Sequence, residues 1–302
     1  MKIRANQIDI EVEDTRAGPV GQERPVVLLI MGLGMQLVAW PAQFIQALVD
    51  AGYRVIRHDN RDVGLSQHFD ALGKPHLILE SLKLKLGLTL QAPYSVSDMA
   101  ADALGVLDTL GIRRAHVLGV SMGGMIAQRM ALAAPERVLS LTSVMSSSGA
   151  LGLPQARLEV LPVLLSRPSG RSAQAVVDHY VKLFTVIGSP AYPSSEAEMR
   201  QTIGLAVARG FYPVGTLRQM LAVMADVKRA EQLPLITAPT LVVHGKADPL
   251  LPFAHGEDTA RRIAGAKLVG IEGMGHDLPA GVVKRLLAEL LPHLRAVGLT
   301  SS

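Results

Sequence analysis

Residues 119–123 read Gly119-Val120-Ser121-Met122-Gly123, directly after the apolar segment His116-Val117-Leu118 and before residues with helical spacing. Small residues are needed beside a serine in a sharp turn from strand to helix, because the turn holds the backbone in a strained conformation. Such a turn raises the hydroxyl above the edge of a sheet, and the helix directs the positive end of its dipole towards the oxygen. The bare pattern Gly-x-Ser-x-Gly also arises by chance, so its meaning depends on the elements around it.

Strand and helix patterns alternate on both sides of this turn. Apolar or alternating runs indicate strands, and apolar residues at helical spacing indicate helices, one of which opens with a capping box at Ser95 and Asp98. The alternation predicts parallel βαβ units with right-handed crossovers. The predicted strands are 2–8, 10–12, 26–30, 53–58, 116–118, 138–144, 240–243 and 267–271, with helices around 41–52, 95–111, 122–135, 260–263 and 282–291.

The strand pattern stops at about residue 146 and resumes after Pro234. Between these points, segments rich in Leu, Val and Ala have helical spacing. We therefore predict an α/β fold with a mostly parallel central sheet flanked by helices, formed by residues 1–145 and 234–302. Residues 146–233 are predicted to form a helical cap inserted in this core domain.

The residues that could activate the serine follow the last two predicted strands. A serine hydroxyl is a weak nucleophile until a base takes its proton, and the base needs a carboxylate to fix its tautomer. His276 and Asp248 lie in loops after these strands, in the chain order nucleophile, acid, histidine. Ser121, His276 and Asp248 are therefore the candidate catalytic residues. Asp277 is the weaker choice for the acid because it adjoins His276 in sequence.

Negative charge that develops on a carbonyl oxygen requires hydrogen-bond donors, which backbone amides can supply. Met122 directly follows the serine, and Leu33 lies in a glycine-containing loop after an early strand. We predict these two amides as the oxyanion donors, although the glycines around Leu33 also suit a plain tight turn. Further residues on or just beyond the motif loops are predicted, on weaker grounds, to contact substrate; they are Gly32, Met35, Met125 and Met274.

Composition excludes several kinds of chemistry. The 302 residues contain no cysteine, which rules out disulfides, a thiolate nucleophile and cysteine-ligated zinc. The histidines have no spacing typical of metal ligands, so we expect neither a metal nor a cofactor. The net charge of +4 comes from scattered Lys and Arg with few aromatic residues, and we expect no nucleic-acid partner.

The distribution of apolar residues along the chain indicates where in the cell the protein is expected to lie. The longest apolar run, residues 26–33, is far shorter than the roughly 20 residues that cross a bilayer. The first residues carry acidic side chains and do not read as a secretory signal. A cytoplasmic location without stable membrane insertion is the resulting expectation, and a homodimer is left open.

The chain resembles the α/β-hydrolase superfamily over nearly its whole length and, within it, the aclacinomycin-methylesterase-like esterases. This resemblance implies Ser121, Asp248 and His276 as the triad, with Leu33 and Met122 as oxyanion donors. Two departures leave the substrate undefined: Met-Gly at 31–32 replaces the His-Gly of many relatives, and 71–94 looks like an insertion. The motifs that carry the resemblance are Met31-Gly32, Trp40-Pro41, the segment from Arg57 to Ser66, Gly119 to Gly123, His244 to Pro249, and Gly273 to His276.

Residues 71–94 allow two local structures. Leu82-Lys83-Leu84-Lys85-Leu86 alternates as a strand would, whereas Leu79, Leu82 and Leu86 also share one face of a helix. One interpretation is an amphipathic flap that covers the acyl pocket or touches lipid or aggregated substrate. An ordinary packed lid element is the favoured alternative.

The predicted reaction is two-step acyl transfer on a small-molecule ester, with an apolar pocket beneath the cap. The same residues also serve cofactor-free perhydrolase or haloperoxidase chemistry and carbon–carbon bond hydrolysis, which are the enzymatic alternatives. A non-catalytic ligand-binding protein is the alternative of a different class. The presence of all three candidate residues argues against it.

Overall fold

The computed structural model describes residues 1–16, 24–86 and 88–298, and eight strands in these residues form one sheet. The strands are β1 (Lys2–Ala5), β2 (Ile8–Asp14), β3 (Val26–Ile30), β4 (Arg54–His58), β5 (Ala115–Val120), β6 (Val138–Val144), β7 (Thr240–Gly245) and β8 (Lys267–Ile271). Their order across the sheet is β1-β2-β4-β3-β5-β6-β7-β8. Only the β1/β2 and β2/β4 pairs are antiparallel. The predicted mostly parallel sheet is therefore confirmed.

Helices connect these strands. They are α1 (Ala42–Asp50), α2 (Leu77–Lys85), α3 (Val96–Thr109), α4 (Met122–Ala133), α5 (Leu161–Leu165), α6 (Ala173–Ile187), α7 (Glu196–Gly210), α8 (Pro213–Ala225), α9 (Arg229–Gln232), α10 (Ala254–Arg262) and α11 (Ala280–Gly298). The predicted capping box at Ser95 opens α3, where Ser95 and Asp98 bond reciprocally to each other's backbone amides. Within the described ranges, none of the helices has the length and apolarity that crossing a membrane requires.

The side chains of β3 alternate between two cores on opposite faces of the sheet. Val26, Leu28 and Ile30 pack with residues of α3 and α4, whereas Val27 and Leu29 pack with residues of α1 and α11. All five are at most 7% exposed, and burial of each side chain stabilises the fold by about 1.5–3 kcal/mol. Because helices cover both faces, the strand is apolar throughout.

The predicted element boundaries depart most from the structure at three places. The first strand was predicted to include Ile8, but Asn6 and Gln7 have positive φ values of 44° and 64°, as in a two-residue hairpin turn, so Ile8 begins β2. Helix α10 begins at Ala254, well before its predicted start. Helix α11 was predicted to end at Leu291, but it continues through Pro292 to Gly298, although proline removes one helical hydrogen bond.

The region predicted to be a cap contains helices α5 to α9 and no strand between residues 146 and 233, all of which the structure describes. This composition supports a cap, and the division into two domains stays a prediction. For residues 71–94 the sequence allowed either a strand or a helix. The helix is correct, since α2 spans Leu77–Lys85. Leu79, Leu82 and Leu86 are 51%, 54% and 66% exposed, so this face is not packed as an ordinary lid element would be.

A buried ion pair joins α8 to the loop after β4. The Arg218 guanidinium donates through Nε and Nη2 to the two carboxylate oxygens of Asp62, each at 2.8 Å. Both side chains are 0% exposed. A charge left alone in such a site would be strongly destabilising, because neither solvent nor a counter-ion would compensate it.

We therefore expect Arg218→Met to lower the free energy of unfolding by about 3–5 kcal/mol, measured by urea denaturation. Arg4→Met is the matched control, because its partner Asp9 and Arg4 itself are largely exposed and a surface pair contributes about 0–1 kcal/mol. The double variant Arg218→Met, Asp62→Asn should recover part of the loss, because asparagine removes the unpaired charge, tolerates the φ of 66° at this position and still accepts from the Phe69 amide. Equal effects at the two arginines would contradict this account.

Candidate active site

Ser121 lies between the last residue of β5 and the first residue of α4. Its φ of 55° and ψ of −121° are strained for a residue with a side chain. The neighbouring backbones explain the flanking glycines: a Cβ on Gly119 would lie 2.0 Å from the carbonyl oxygen of Gly123, and a Cβ on Gly123 would lie 2.0 Å from that of Ile30. The predicted strand-to-helix turn is thus present, with the serine at its apex.

The structure brings Ser121, His276 and Asp248 into one hydrogen-bonded chain. His276 Nε2 lies 3.0 Å from Ser121 Oγ, and His276 Nδ1 lies 2.7 Å from Asp248 Oδ2. Because the carboxylate can only accept, Nδ1 carries the proton and Nε2 is free to accept from the hydroxyl. This geometry allows His276 to act as a general base towards Ser121.

Asp248 is held as an anion in a fully buried position. Its Oδ1 accepts from the amides of Leu250 and Leu251, each at 2.9 Å. Burial opposes ionisation, but attraction to the protonated form of His276 and the hydrogen bond from its ring outweigh that effect and leave the pKa of Asp248 below its usual value. The carboxylate is therefore available to fix the tautomer of His276 and stabilise its protonated form.

His244 also lies next to Asp248, and its side chain is fully buried. Its Nε2–H donates to the carbonyl of Leu251 at 2.7 Å and lies 3.6 Å from Asp248 Oδ2. Burial lowers the pKa of His244, against the opposing effect of the Asp248 charge, and so favours the neutral ring. Its role here is to pack and to hold the loop that carries Asp248.

Sequence reasoning missed a contact that holds the His276 loop. The amide of His276 donates to the carbonyl of Ile187 at 2.7 Å, and the amide of Gly275 donates to Ser189 Oγ at 2.9 Å. The Ser189 hydroxyl in turn donates to the carboxylate of Asp277. Ile187, the last residue of α6, and Ser189, just after it, therefore hold the backbone at Gly275 and His276 and the side chain of Asp277. No local pattern marks Ser189 for this role.

Asp277, the alternative candidate for the orienting acid, accepts a hydrogen bond from Ser189. Among the described residues no hydrogen bond joins its carboxylate to His276. Burial raises the pKa of Asp277 to about 6, and the hydrogen bond from Ser189 works in the opposite direction. The geometry therefore favours Asp248 over Asp277 as the orienting acid.

The predicted oxyanion loop lies against Ser121. A Cβ on Gly32 would meet Ser121 Cβ at 3.2 Å, so Gly32 allows the loop to approach the serine. In the part of the chain that the structure describes, the amides of Leu33 and Met122 have no protein acceptor. Both remain available to a substrate oxygen, and their role as oxyanion donors stays a prediction.

The four weaker substrate predictions fall into two groups. Met125 is 6% exposed and Met274 is 0% exposed, and each belongs to a hydrophobic core. Met35 is partly buried and lies, like Gly32, in the loop beside Ser121. The structure thus explains Met125 and Met274 by packing, and substrate contact stays a prediction that suits Gly32 and Met35 better.

A cavity of about 400 Å³ lies beside the triad on the side of Asp277. It is lined by the end of α6, the start of α7 and the loops that flank Asp248 and His276; representative residues are Phe184, Val186, Pro190, Met199 and Pro249. Ser121 is not among its lining residues. The cavity does not by itself define the position of an acyl group.

This sheet order, with a strained serine after β5 and a histidine after β8, defines a hydrolase of the α/β class. Residues 25–279 match the α/β-hydrolase fold family, so the chain belongs to that family. The rhodomycin D methylesterase DauP of Streptomyces sp. strain C5 is 32% identical over 291 residues, which cover 89% of this chain and 91% of that protein. The predicted fold and family are thereby confirmed.

Solved structures show the same fold at lower identity. A meta-cleavage product hydrolase from Pseudomonas fluorescens IP01 has a TM-score of 0.73 and 19% identity, covering 98% of this chain and 97% of that one. A thermophilic esterase from Thermogutta terrifontis has a TM-score of 0.67 and 22% identity, with 98% of each chain covered. At these identities the likeness establishes the arrangement of the chain and not the substrate.

The assignment of the acid can be tested through the reactivity of the serine. We expect Asp248→Asn to slow labelling of Ser121 by a fluorophosphonate by about 10²- to 10⁴-fold, because the base loses its correct tautomer. Asp277→Asn is the matched control, since an asparagine there still accepts from Ser189 through its carbonyl oxygen. Labelling rates read by mass spectrometry distinguish the two, and a larger loss for Asp277→Asn would reverse the assignment.

Asp277 also predicts a pH-dependent change in stability. Its pKa rises from about 4 in an unfolded chain to about 6 in the fold, so its ionisation costs the folded state stability as pH rises through that interval. Asp277→Asn removes this cost. We expect the variant to melt at a higher temperature than wild type at pH 8 and at the same temperature at pH 4. A difference that does not depend on pH would contradict the prediction.

Proposed function

We propose that this protein hydrolyses carboxylic esters through a covalent acyl-enzyme. The observation that carries the proposal is the hydrogen-bonded chain from Ser121 Oγ through His276 to Asp248, at the apex of a strand-to-helix turn. The relation to the methylesterase DauP supports an ester as substrate. That relation also makes a methyl ester, with methanol as leaving group, the first substrate class to consider.

In the first half of the reaction Ser121 Oγ attacks the ester carbonyl carbon while His276 Nε2 takes its proton. The carbonyl π electrons move to oxygen, and the amides of Met122 and Leu33 stabilise that oxyanion. When the tetrahedral intermediate collapses, the bond to the alkoxy group breaks and His276 returns the proton to the departing alcohol. The acyl group remains on Ser121.

The second half repeats these steps with water. His276 takes a proton from water, the hydroxide attacks the acyl carbonyl, and the same two amides stabilise the oxyanion. Collapse then breaks the bond to Ser121, which recovers its proton from His276. Asp248 stays ionised throughout and stabilises the protonated imidazole, consistent with its lowered pKa.

The proposal includes a small-molecule ester as the partner, a cytoplasmic location and no nucleic-acid partner. The scattered positive charge supports the last point. Light scattering after size-exclusion chromatography distinguishes a monomer from the homodimer that the sequence leaves open.

We expect the wild type to hydrolyse p-nitrophenyl and methyl esters, and Ser121→Ala to lower kcat by at least about 10⁴-fold without unfolding. A series of acyl groups from acetyl to palmitoyl measures the size of the acyl site. Circular dichroism supplies the control for folding. A folded wild type that is inert on every ester would contradict the proposal, and peroxide-dependent halogenation and carbon–carbon cleavage would then be assayed.

A further inference from the structure

Helix α8 delivers one fully buried amide side chain to the loop that carries Leu33. Gln219 is 0% exposed. Its Oε1 accepts from the amide of Gly34 at 2.9 Å, and its Nε2 donates to the carbonyl of Arg61 at 2.8 Å. Gln219 therefore links the loop after β3 to the loop after β4, across 185 residues of sequence from Gly34.

The rest of the loop is anchored at both ends. Asn60 Nδ2 donates to the carbonyl of Met31 at 3.0 Å, and the amide of Leu37 donates to Asp59 Oδ1 at 2.7 Å. Gln36 Nε2 donates to carbonyls at the end of α7, at 2.7 and 2.6 Å. Within the middle of the loop the Met35 amide donates to the Gly32 carbonyl at 3.1 Å, and among the described residues Gln219 is the side chain from another element that holds the Gly34 amide.

Steric contact from the same helix reinforces this anchor. Gly34 has a φ of +66°, and a Cβ there would lie 2.7 Å from Thr216 Oγ1, so α8 packs directly on its backbone. Thr216 lies three residues before Gln219 and thus on the same side of the helix. One helix face controls both the position of Gly34 and the direction of its N–H group.

We propose that Gln219 is a positioning residue for the oxyanion hole. It orients the peptide between Leu33 and Gly34 and thereby holds the preceding amide of Leu33 at the position of the developing oxyanion. This inference rests on the proposed function, in which Leu33 is an oxyanion donor. Through Gln219, helix α8 of the proposed cap would contribute to stabilisation of the oxyanion and not only to the shape of the substrate site.

A glutamine suits this role because its amide both accepts and donates. A methionine of similar length does neither, and a carboxylate accepts from Gly34 but does not donate to Arg61. Asparagine is one methylene too short to make both bonds from the same backbone. Gln219→Met therefore removes both hydrogen bonds, and Gln219→Glu removes only the bond to the Arg61 carbonyl. Gln219→Asn leaves at most one of the two.

The test compares these variants with Gln128→Met. Gln128 is also a fully buried helical glutamine with a hydrogen bond to an arginine, Arg229, but it makes no contact with the oxyanion loop among the described residues. We expect Gln219→Met to lower kcat for a p-nitrophenyl ester by about 10- to 10²-fold with little change in KM, since a small misplacement of a catalytic group has effects of this size. Gln128→Met should lower thermal stability and leave kcat unchanged.

Inhibition by an aryl trifluoromethyl ketone gives a readout that a purely structural role would not move. Its adduct with Ser121 places an oxyanion in the hole, so its affinity should fall by the same factor as kcat/KM, whereas inhibition by the product alcohol should not change. If Gln219→Met does not fold, Gln219→Asn and Gln219→Glu are measured in its place. Folded Gln219 variants with unchanged kcat and ketone affinity would overturn the proposal and leave the esterase assignment intact. A wild type that is inert on every ester would overturn both.

Discussion

The close approach of β3, β5 and α4 is the constraint on which the site depends. Gly119 and Gly123 lie against neighbouring backbone with no space for a Cβ, so α4 can start immediately after β5 and Ser121 is forced to the apex. The strain in Ser121, whose φ is 55°, is sustained by the packing of three elements of the core. The position of Ser121 is thereby fixed, and the loops that carry His276 and Leu33 lie against it.

Buried polar contacts from the region between β6 and β7 determine how those loops approach. Ser189 holds the backbone beside His276, and Gln219 holds Gly34 beside Leu33. The ion pair of Arg218 with Asp62 ties the same region to the loop after β4. On this account the proposed cap supports the catalytic loops from above while the sheet supports them from below.

Features with a local signature could be predicted from the sequence, and features that arise from distant contacts could not. Glycines flank Ser121, and Asp248 and His276 each lie in a loop after a predicted strand. These are local patterns, and the order nucleophile, acid, histidine along the chain is the one known for this fold. Ser189 lies in the loop after α6 and Gln219 lies within α8, and for polar residues an exposed position is the ordinary expectation. Their partners lie 86 and 185 residues away in sequence, and only the tertiary fold brings them together.

The central claim is that Ser121 carries the acyl group during turnover, and trapping of the intermediate tests it most directly. The protein is mixed with p-nitrophenyl acetate, quenched in acid within the first turnovers, digested and analysed by mass spectrometry. The account predicts an acetyl group on the peptide that contains Ser121, formed as the first equivalent of p-nitrophenol is released and lost on further incubation. Turnover with no acetyl group on Ser121, or with acetylation of another residue that rises and falls with turnover, would contradict it.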